Sequence, residues 1–213
     1  HNVTHFLIDS TDIGKYPAFS SIGSDANYDR VSSIASFYKD PSQTLERKNS
    51  TVYAYLGGVA VSEDIVYDLN GSRVFLPGGK AGLGGILIET EGNRVVSQPM
   101  GIFVYNNNQY NIPLKQVYYD DALYSFDEGI DAGVFIYPSL KQGSNGIEID
   151  AHGALLYLDR RVLHSQLARL YLFKEEIPGF RLAHSTDDVI VTQVKQQNPG
   201  FGDFLDYQGF RGP

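Results

Sequence analysis

The amino-acid sequence predicts a mixed α+β fold, in which a partly helical core is interrupted by a β-rich antiparallel sheet or barrel. From about residue 50 to residue 150, short β-branched and aromatic runs alternate with Gly and Asn turns, which is typical of antiparallel strands. Before and after this stretch, apolar residues recur at helical spacing. The hydrophobic fraction of 42% and the charged fraction of 20% are those of an ordinary globular protein, which excludes collagen-like and globally disordered chains.

The first segment, residues 1–48, is predicted to hold a short buried strand at residues 6–9, followed by a turn. Pro17 lacks an N–H and its ring clashes with the preceding turn, so residues 12–16 are expected to form only a first turn or a loop. A helix is expected to resume afterwards, because an apolar stripe recurs at roughly helical spacing; it comprises Tyr28, Val31, Ile34, Ala35 and Phe37.

The middle segment, residues 49–152, is predicted to be the β-rich insertion. Its clearest feature is a hairpin of residues 64–69 and 73–76 around Asn70-Gly71, a pair that tolerates the positive φ angles of a tight turn. Further strands are predicted from β-branched and aromatic runs at residues 85–90, 95–105, 110–119 and 133–137.

The last segment, residues 153–213, is predicted to complete the helical core. Residues 160–173 place five apolar side chains on one helical face, and Pro178-Gly179 ends that helix. Two half-buried strands are expected at residues 180–184 and 189–194, followed by a loop rich in Gly, Pro and Asn.

Charge and composition exclude several functional classes. The net charge of −8 and the pI near 5.0 oppose binding to a phosphate backbone, so no nucleic-acid partner is expected. The chain has no cysteine, which removes disulfides, thiolate catalysis and zinc–thiolate sites. No window approaches the roughly 20 apolar residues of a membrane helix, and no signal peptide is evident. Because the chain begins with His1 inside an apparent strand, we expect it to be a piece of a longer protein.

The most unusual segment of the sequence is Asp12-Ile13-Gly14-Lys15-Tyr16-Pro17-Ala18-Phe19-Ser20-Ser21-Ile22. An acid and a base three residues apart face the same side of a helical turn, with two apolar residues one and two turns further on. Such ion pairs are common on solvated helices and contribute only about 0.2–0.5 kcal/mol. From spacing alone, a surface ion pair is the favoured interpretation.

The residues around this segment resemble a known family. Residues 6–10, followed by Asp12-Ile13-Gly14-Lys15 and Ile22, are similar to the D-x-x-K motif region of archaeal and eukaryotic oligosaccharyltransferase catalytic subunits. Residues 169–173 and 179–185 resemble the late helix and the following strand of that family. Residues 210–213 resemble the start of its closing segment, cut before the final strand. The chain is thus similar to the outward-facing C-terminal segment of an archaeal catalytic subunit in the cell membrane.

This resemblance implies a role in protein N-glycosylation, in which a lipid-linked oligosaccharide on a dolichol-type carrier is transferred to Asn of Asn-x-Ser/Thr acceptors. In the family the D-x-x-K motif lies near the acceptor hydroxyl residue, which implies acceptor binding by Asp12, Lys15 and Ile22. Phe19 stands where the family usually has Met or Ile. A buried acceptor hydroxyl left unpaired would cost about 1–3 kcal/mol, so a charge pair beside apolar side chains is a reasonable binding surface.

The resemblance also implies what this chain lacks. The family's Trp-Trp-Asp acceptor motif must precede His1, because the chain contains no tryptophan. The acidic ligands of the family's divalent cation, Mg²⁺ or Mn²⁺, belong to the membrane part. We therefore expect this chain to carry no catalytic residue and no metal, to be inactive alone, and to join the membrane through a missing N-terminal part.

Other motifs give weaker signals. The Gly-rich residues 78–85 surround Lys80, but Ala81 replaces the expected hydroxyl residue and a strand follows, so a hairpin connection is favoured over a phosphate loop or a contact with the donor phosphates. The acidic residues are predicted to be solvated loops, with a Ca²⁺ ion in residues 127–131 as an alternative. The five histidines show no metal-ligand spacing. Asn2, Asn49 and Asn70 begin Asn-x-Ser/Thr triplets and are candidate glycosylation sites.

Two other functions stay open from the residues. A β-rich extracellular carbohydrate-binding or surface-layer module could use the aromatic strands, since the chain has 15 tyrosines and 12 phenylalanines. A free glycan hydrolase has no Gly-x-Ser-x-Gly motif to support a triad, but paired carboxylates are not tested by spacing.

Overall fold

The computed structural model describes residues 4–23, 31, 34–69, 71–143, 146–186 and 189–194. Strands account for 60% of the structure and helices for 12%. A short π-helical segment, Ala168–Leu172, follows the second helix. In chain order the other elements are β1 (His5–Asp9), α1 (Asp12–Gly23), β2 (Ala35–Lys39), β3 (Leu45–Glu46), β4 (Thr51–Ala60), β5 (Ile65–Leu69), β6 (Ser72–Leu76), β7 (Gly82–Glu91), β8 (Arg94–Val95), β9 (Met100–Tyr105), β10 (Asn108–Tyr119), β11 (Ala122–Ser125), β12 (Ile130–Gly143), β13 (Gly146–Leu158), α2 (Arg160–Leu163), β14 (Phe180–Ser185) and β15 (Val189–Val194).

A closed β-barrel of seven strands forms the centre of the molecule. Its strands follow the order β4-β2-β13-β12-β10-β9-β7, and β7 pairs with β4 to close the ring. Six of these pairings are antiparallel, while β10 and β12 run parallel. Because the ring is closed, each of the seven strands pairs with two neighbours and none has a free edge.

The barrel interior is filled by alternate side chains of its strands. In β2, Phe37 is fully buried while the next residue, Tyr38, is 59% exposed, as the two-residue period of a strand requires. The fully buried interior includes Tyr55, Ile86, Phe103, Ile112, Leu114, Val117 and Leu155. The β5–β6 hairpin packs Ile65 and Leu76 onto this core.

A smaller layer lies on the outside of β13. The strands β1, β15 and β14 form a three-stranded antiparallel sheet in that order. Between this sheet and the barrel, a second core contains Leu156 and Leu158 of β13 together with Leu163 and Leu170. The sheet and its helices therefore rest on one face of the barrel. None of the described helices is long and apolar enough to span a membrane.

The predicted mixed α+β fold with a partly helical core is wrong, because the chain is mostly β and its main core is the barrel interior. The helix predicted through Ala35 and Phe37 is instead the strand β2. Of the stripe that suggested it, Tyr28 lies outside the described residues. The five residues of β2 have one buried residue at their centre, a pattern compatible with the period of a helix and with that of a strand. Hydrogen bonding to β13 and β4 makes this segment a strand.

Predictions for single short segments agree better with the structure than the predicted fold class does. The β5–β6 hairpin is confirmed, with Leu69 opposite Ser72 and Gly71 at φ +80°, although Asn70 lies outside the described residues. The late helix is confirmed only in part, as α2 and the π-helical segment. The barrel draws strands from all three predicted segments, and their division into domains at 48/49 and 152/153 stays a prediction.

Pro17 does not interrupt the first helix, contrary to the expectation from its missing N–H. The helix α1 runs without a break from Asp12 to Gly23 and contains Pro17 in its second turn. One backbone bond, that to the carbonyl of Ile13, is necessarily absent there. The consequence for the site is that Asp12, Lys15, Phe19 and Ile22 all belong to one helix.

Candidate functional site

The start of α1 is organised by a chain of polar contacts. The Asp9 carboxylate, at the end of β1, accepts the Thr11 N–H at 2.8 Å and the Thr11 hydroxyl at 2.6 Å. Lys15 Nζ in turn donates to Thr11 Oγ1 at 2.7 Å. Asp12 Oδ2 accepts the Asp9 N–H at 3.1 Å, so that the carboxylates of Asp9 and Asp12 both bind the β1–α1 turn.

Lys15 and Asp12 form an ion pair within this network. Their Nζ and Oδ1 atoms lie 3.6 Å apart, with the lysine side chain 55% exposed and the aspartate side chain 25% exposed. The two hydrogen bonds from Thr11 lower the pKa of Asp9, which the charge of Lys15 lowers further. The turn is therefore stabilised with the Asp9 carboxylate ionised. The ammonium group of Lys15 is held at the surface by two oxygen atoms.

Two large apolar side chains continue the same face of α1. Phe19 is 53% exposed and Ile22 is 85% exposed. Steps of three, four and three residues keep Asp12, Lys15, Phe19 and Ile22 on one side of a helix. The adjoining side of α1 is buried, since Ile13 and Tyr16 pack onto the second core.

The structure thus brings all four predicted acceptor-binding residues onto one exposed face, which we call the α1 face. It offers a carboxylate that accepts hydrogen bonds, an ammonium group that donates them, and an apolar strip beside both. Such a face can bind a side chain that has a hydroxyl and a methyl group close together. A phosphate or another strongly anionic group would meet the carboxylate of Asp12.

One part of this network was not predicted from the sequence: the Thr11 side chain connects Asp9 with Lys15. The four-residue spacing of Thr11 and Lys15 was a usable signal, because such residues are neighbours on a helix. The role of Asp9 depends on the geometry of the turn between β1 and α1, which spacing alone does not give.

The remaining predicted sites are dispersed. Asn49 is exposed in the loop before β4, whereas Asn2 and Asn70 lie outside the described residues. Gly82 and the glycines after it belong to β7, so no helix follows the Gly-rich turn at Lys80. Among the described residues, no three His, Asp or Glu side chains come together in a way that could hold a metal ion.

A second polar cluster, not predicted, lies at the barrel end where β13 enters. His152 stacks on Tyr53 with 4.5 Å between ring centroids, and its Nε2 lies 2.5 Å from the hydroxyl of Tyr119. Asp150 forms an ion pair with Lys39. Burial lowers the pKa of His152, and the Lys39 charge lowers it further, which favours the neutral imidazole.

This cluster closes the barrel end and satisfies most of its own polar groups. Burial alone would raise the pKa of Asp150, but Lys39, the His152 amide and Lys141 together lower it. Beneath the cluster, the hydroxyl of the fully buried Tyr55 has no hydrogen-bond partner among the described residues. The cluster is best explained as a polar plug of the barrel, and the α1 face is the stronger candidate for binding.

Comparison of the chain with protein-family models, with curated proteins and with solved structures gives no match.

Proposed function

We propose that this chain is the outward-facing segment of a membrane oligosaccharyltransferase and that the α1 face binds the Ser or Thr of an Asn-x-Ser/Thr acceptor. The full-length enzyme would transfer an oligosaccharide from a dolichol-type lipid carrier to the acceptor asparagine. The proposal rests on the resemblance of residues 6–22, 169–185 and 210–213 to that family, together with the exposed alignment of the four motif residues.

The exposed alignment is the observation that carries the proposal, because the stability of the chain does not account for it. An ion pair as exposed as that of Asp12 and Lys15 contributes about 0–1 kcal/mol to folding. Phe19 and Ile22 leave most of their surface in water instead of contributing to a core. A face that does little for folding but combines a donor, an acceptor and apolar surface is suited to a ligand.

The acceptor hydroxyl would be bound between the two charges. In this arrangement the hydroxyl donates to the Asp12 carboxylate and accepts from Lys15 Nζ, which Thr11 already orients. The methyl group of an acceptor threonine would contact the apolar strip. Burial of one such group is worth about 0.8 kcal/mol, which corresponds to a preference for Thr over Ser of about fourfold.

The proposal assigns no step of the transfer reaction to this chain. The described residues do not fit the divalent cation of the family, because no three acidic or histidine side chains meet. The cation, Mg²⁺ or Mn²⁺, and the Trp-Trp-Asp motif would belong to the membrane part that precedes His1. The sequence of the gene upstream of His1 tests this part of the proposal: several membrane spans and that motif would support it. A lone secretion signal would contradict it and favour an extracellular carbohydrate-binding module.

Steady-state kinetics of the full-length enzyme test the acceptor role. In Asp12→Asn and Lys15→Met, we expect KM for an Asn-x-Thr peptide to rise about tenfold, since each loses a charge-assisted hydrogen bond to the acceptor. The turnover number should change little, because neither residue contacts the reacting atoms. Ile22→Ala should reduce the preference for Thr over Ser.

Lys141→Met is a matched control for these variants. Lys141 Nζ lies 4.0 Å from carboxylate oxygens of both Glu148 and Asp150, on the β12–β13 hairpin and far from α1 in the topology. Its loss should leave KM unchanged. An unchanged KM in both Asp12→Asn and Lys15→Met would refute the proposed role of the α1 face.

A further inference from the structure

A cleft of about 310 Å³ lies at the barrel end opposite the His152 cluster, between the β5–β6 hairpin and the start of α2. Its apolar wall includes Ile65, Tyr67 and Ile130. Its polar groups come from residues 62–64 and from Asp131, Tyr157, Asp159 and Arg160. Ligand pockets in proteins span about 300–1,000 Å³, so this cleft has the size for a single small ring.

Tyr157 contributes its hydroxyl group to this cleft, while its ring belongs to the barrel core. Its side chain is only 7% exposed, and it lines the cleft from the interior face of β13. Within the described part of the chain, its hydroxyl has no hydrogen-bond partner. Burial raises the pKa of Tyr157, and the nearby Asp159 and Glu63 carboxylates raise it further. A protonated hydroxyl that lines the cleft beside two carboxylates, and that makes no hydrogen bond within the described residues, can donate to a ligand and accept from it.

The carboxylates around Tyr157 differ in how far they are satisfied. Both carboxylate oxygens of Asp159 already accept a hydrogen bond, Oδ2 from the Ser62 hydroxyl at 2.6 Å and Oδ1 from the Val162 N–H at 2.9 Å. Glu63, by contrast, is half-buried and has no partner among the described residues. Glu63 therefore offers two free acceptor oxygens on the same cleft as the free hydroxyl of Tyr157.

Arg160 adds hydrogen-bond donors on the far side of the cleft. Its Nε lies 3.5 Å from Asp131 Oδ2, and the side chain is 65% exposed. A guanidinium has five N–H donors, so several remain for a ligand. The cleft thus combines free acceptors on Glu63, a free hydroxyl on Tyr157, free donors on Arg160 and an apolar wall.

We propose that this cleft binds one neutral sugar ring. Sugar hydroxyls both donate and accept hydrogen bonds, and therefore use Glu63, Tyr157 and Arg160 together, while the C–H face of the ring can pack on the apolar wall. Four carboxylates against one guanidinium repel an acidic sugar or a phosphate. An ammonium group only donates and would leave the donors of Arg160 and Tyr157 unmatched.

This site does not depend on the proposed acceptor role, because none of its residues lies on α1. Its test uses the chain itself, without a membrane part and without an acceptor peptide. Failure of one proposal therefore leaves the other unaffected.

The experiment is saturation-transfer NMR of the chain with methyl glycosides of glucose, galactose, mannose, xylose and N-acetylglucosamine. Methyl glucuronide and butylamine are the charged comparisons. At least one neutral glycoside should bind, and neither charged compound should bind more tightly than it. Glu63→Gln and Tyr157→Phe should each weaken binding about five- to tenfold, as expected for one lost hydrogen bond of this kind.

Glu91→Gln and Tyr38→Phe are the matched controls, because both residues are exposed and lie outside the cleft. These controls should bind the glycoside like the unchanged chain. If Tyr157→Phe fails to fold, Glu63→Gln alone decides, since the Glu63 side chain has no hydrogen-bond or ion-pair partner among the described residues whose loss could unfold the chain. Absence of binding by every neutral glycoside, tighter binding of a charged compound, or unchanged affinity in Glu63→Gln would overturn the proposal.

Discussion

Phe37 provides a quantitative test of the barrel, because a helix was expected at this position and a strand is present. The ring of Phe37 is fully buried, whereas the neighbouring Tyr38 is 59% exposed. Phe37→Ala removes roughly 100 Å² of apolar surface from the core, which is worth about 2.5 kcal/mol. The cavity that remains adds about 24 cal/mol per Å³, so the total expected loss in the free energy of unfolding is about 3–5 kcal/mol.

Gly57 makes this test sharper, because it lies directly against the same ring. A Cβ added at Gly57 would be 2.6 Å from Phe37 Cδ1 and 2.8 Å from Phe37 Cγ. Gly57→Ala alone should therefore lower stability by about 1–3 kcal/mol through overpacking. In the double variant the clash is gone and the new methyl group fills part of the cavity. The combined loss should be smaller than the sum of the single losses by about 1 kcal/mol or more.

The assay is urea unfolding followed by circular dichroism, since the chain has no tryptophan to report on unfolding. Tyr38→Ala, on the outer side of β2, is the control and should lower the free energy of unfolding by about 1 kcal/mol or less. Equal losses in Phe37→Ala and Tyr38→Ala would refute the strand. Additive losses in the double variant would show that Gly57 and Phe37 are not in contact.

Three further predictions concern polar groups. Burial lowers the pKa of His152, so the unfolded chain binds a proton near pH 6.5 while the folded chain still holds the imidazole neutral. The free energy of unfolding should therefore be highest above about pH 6.5 and decrease as the pH falls below it. His152→Phe should flatten the stability profile between about pH 6.5 and pH 5, and an unchanged profile would contradict this origin. Tyr55→Phe removes an unpaired buried hydroxyl and should leave the stability in thermal unfolding unchanged or raise it. Tyr119→Phe loses the contact of its hydroxyl with His152 and should lower the stability by about 1 kcal/mol. A larger loss of stability in Tyr55→Phe than in Tyr119→Phe would contradict the hydrogen-bond assignment. Asp159→Ala removes the cap that accepts the Val162 N–H and should cost about 1–2 kcal/mol in urea unfolding, and a neutral result would show that the cap contributes little.

The fold could be predicted from the sequence where a short stretch determines its own structure. The β5–β6 hairpin is one such case, since a two-residue turn brings adjacent runs together. The barrel is different, because its closure depends on pairing between β4 and β7, which are separated by that hairpin. The strand β2 is defined by neighbours more than a hundred residues later in β13, and no window of the sequence contains that information.

The candidate sites divide in the same way. Asp12, Lys15, Phe19 and Ile22 lie within one helix, and their spacing of three and four residues indicated a shared side, although Pro17 had been expected to interrupt that helix. Their role in acceptor binding is implied by the family resemblance and not by the spacing. The cleft could not be predicted, because Glu63, Asp131 and Tyr157 come from three distant strands and loops. Only the closed barrel brings these side chains to one end.

The measurement that tests the central claim most directly is photo-cross-linking of an acceptor peptide to the full-length enzyme. The peptide would carry the photoreactive group at the Ser/Thr position of Asn-x-Ser/Thr, and the labelled residues would be identified by mass spectrometry. We expect labelling within residues 12–22, with strong reduction in Lys15→Met and no reduction in Lys141→Met. Labelling confined to the barrel, or equal labelling in Lys15→Met, would contradict acceptor binding by the α1 face.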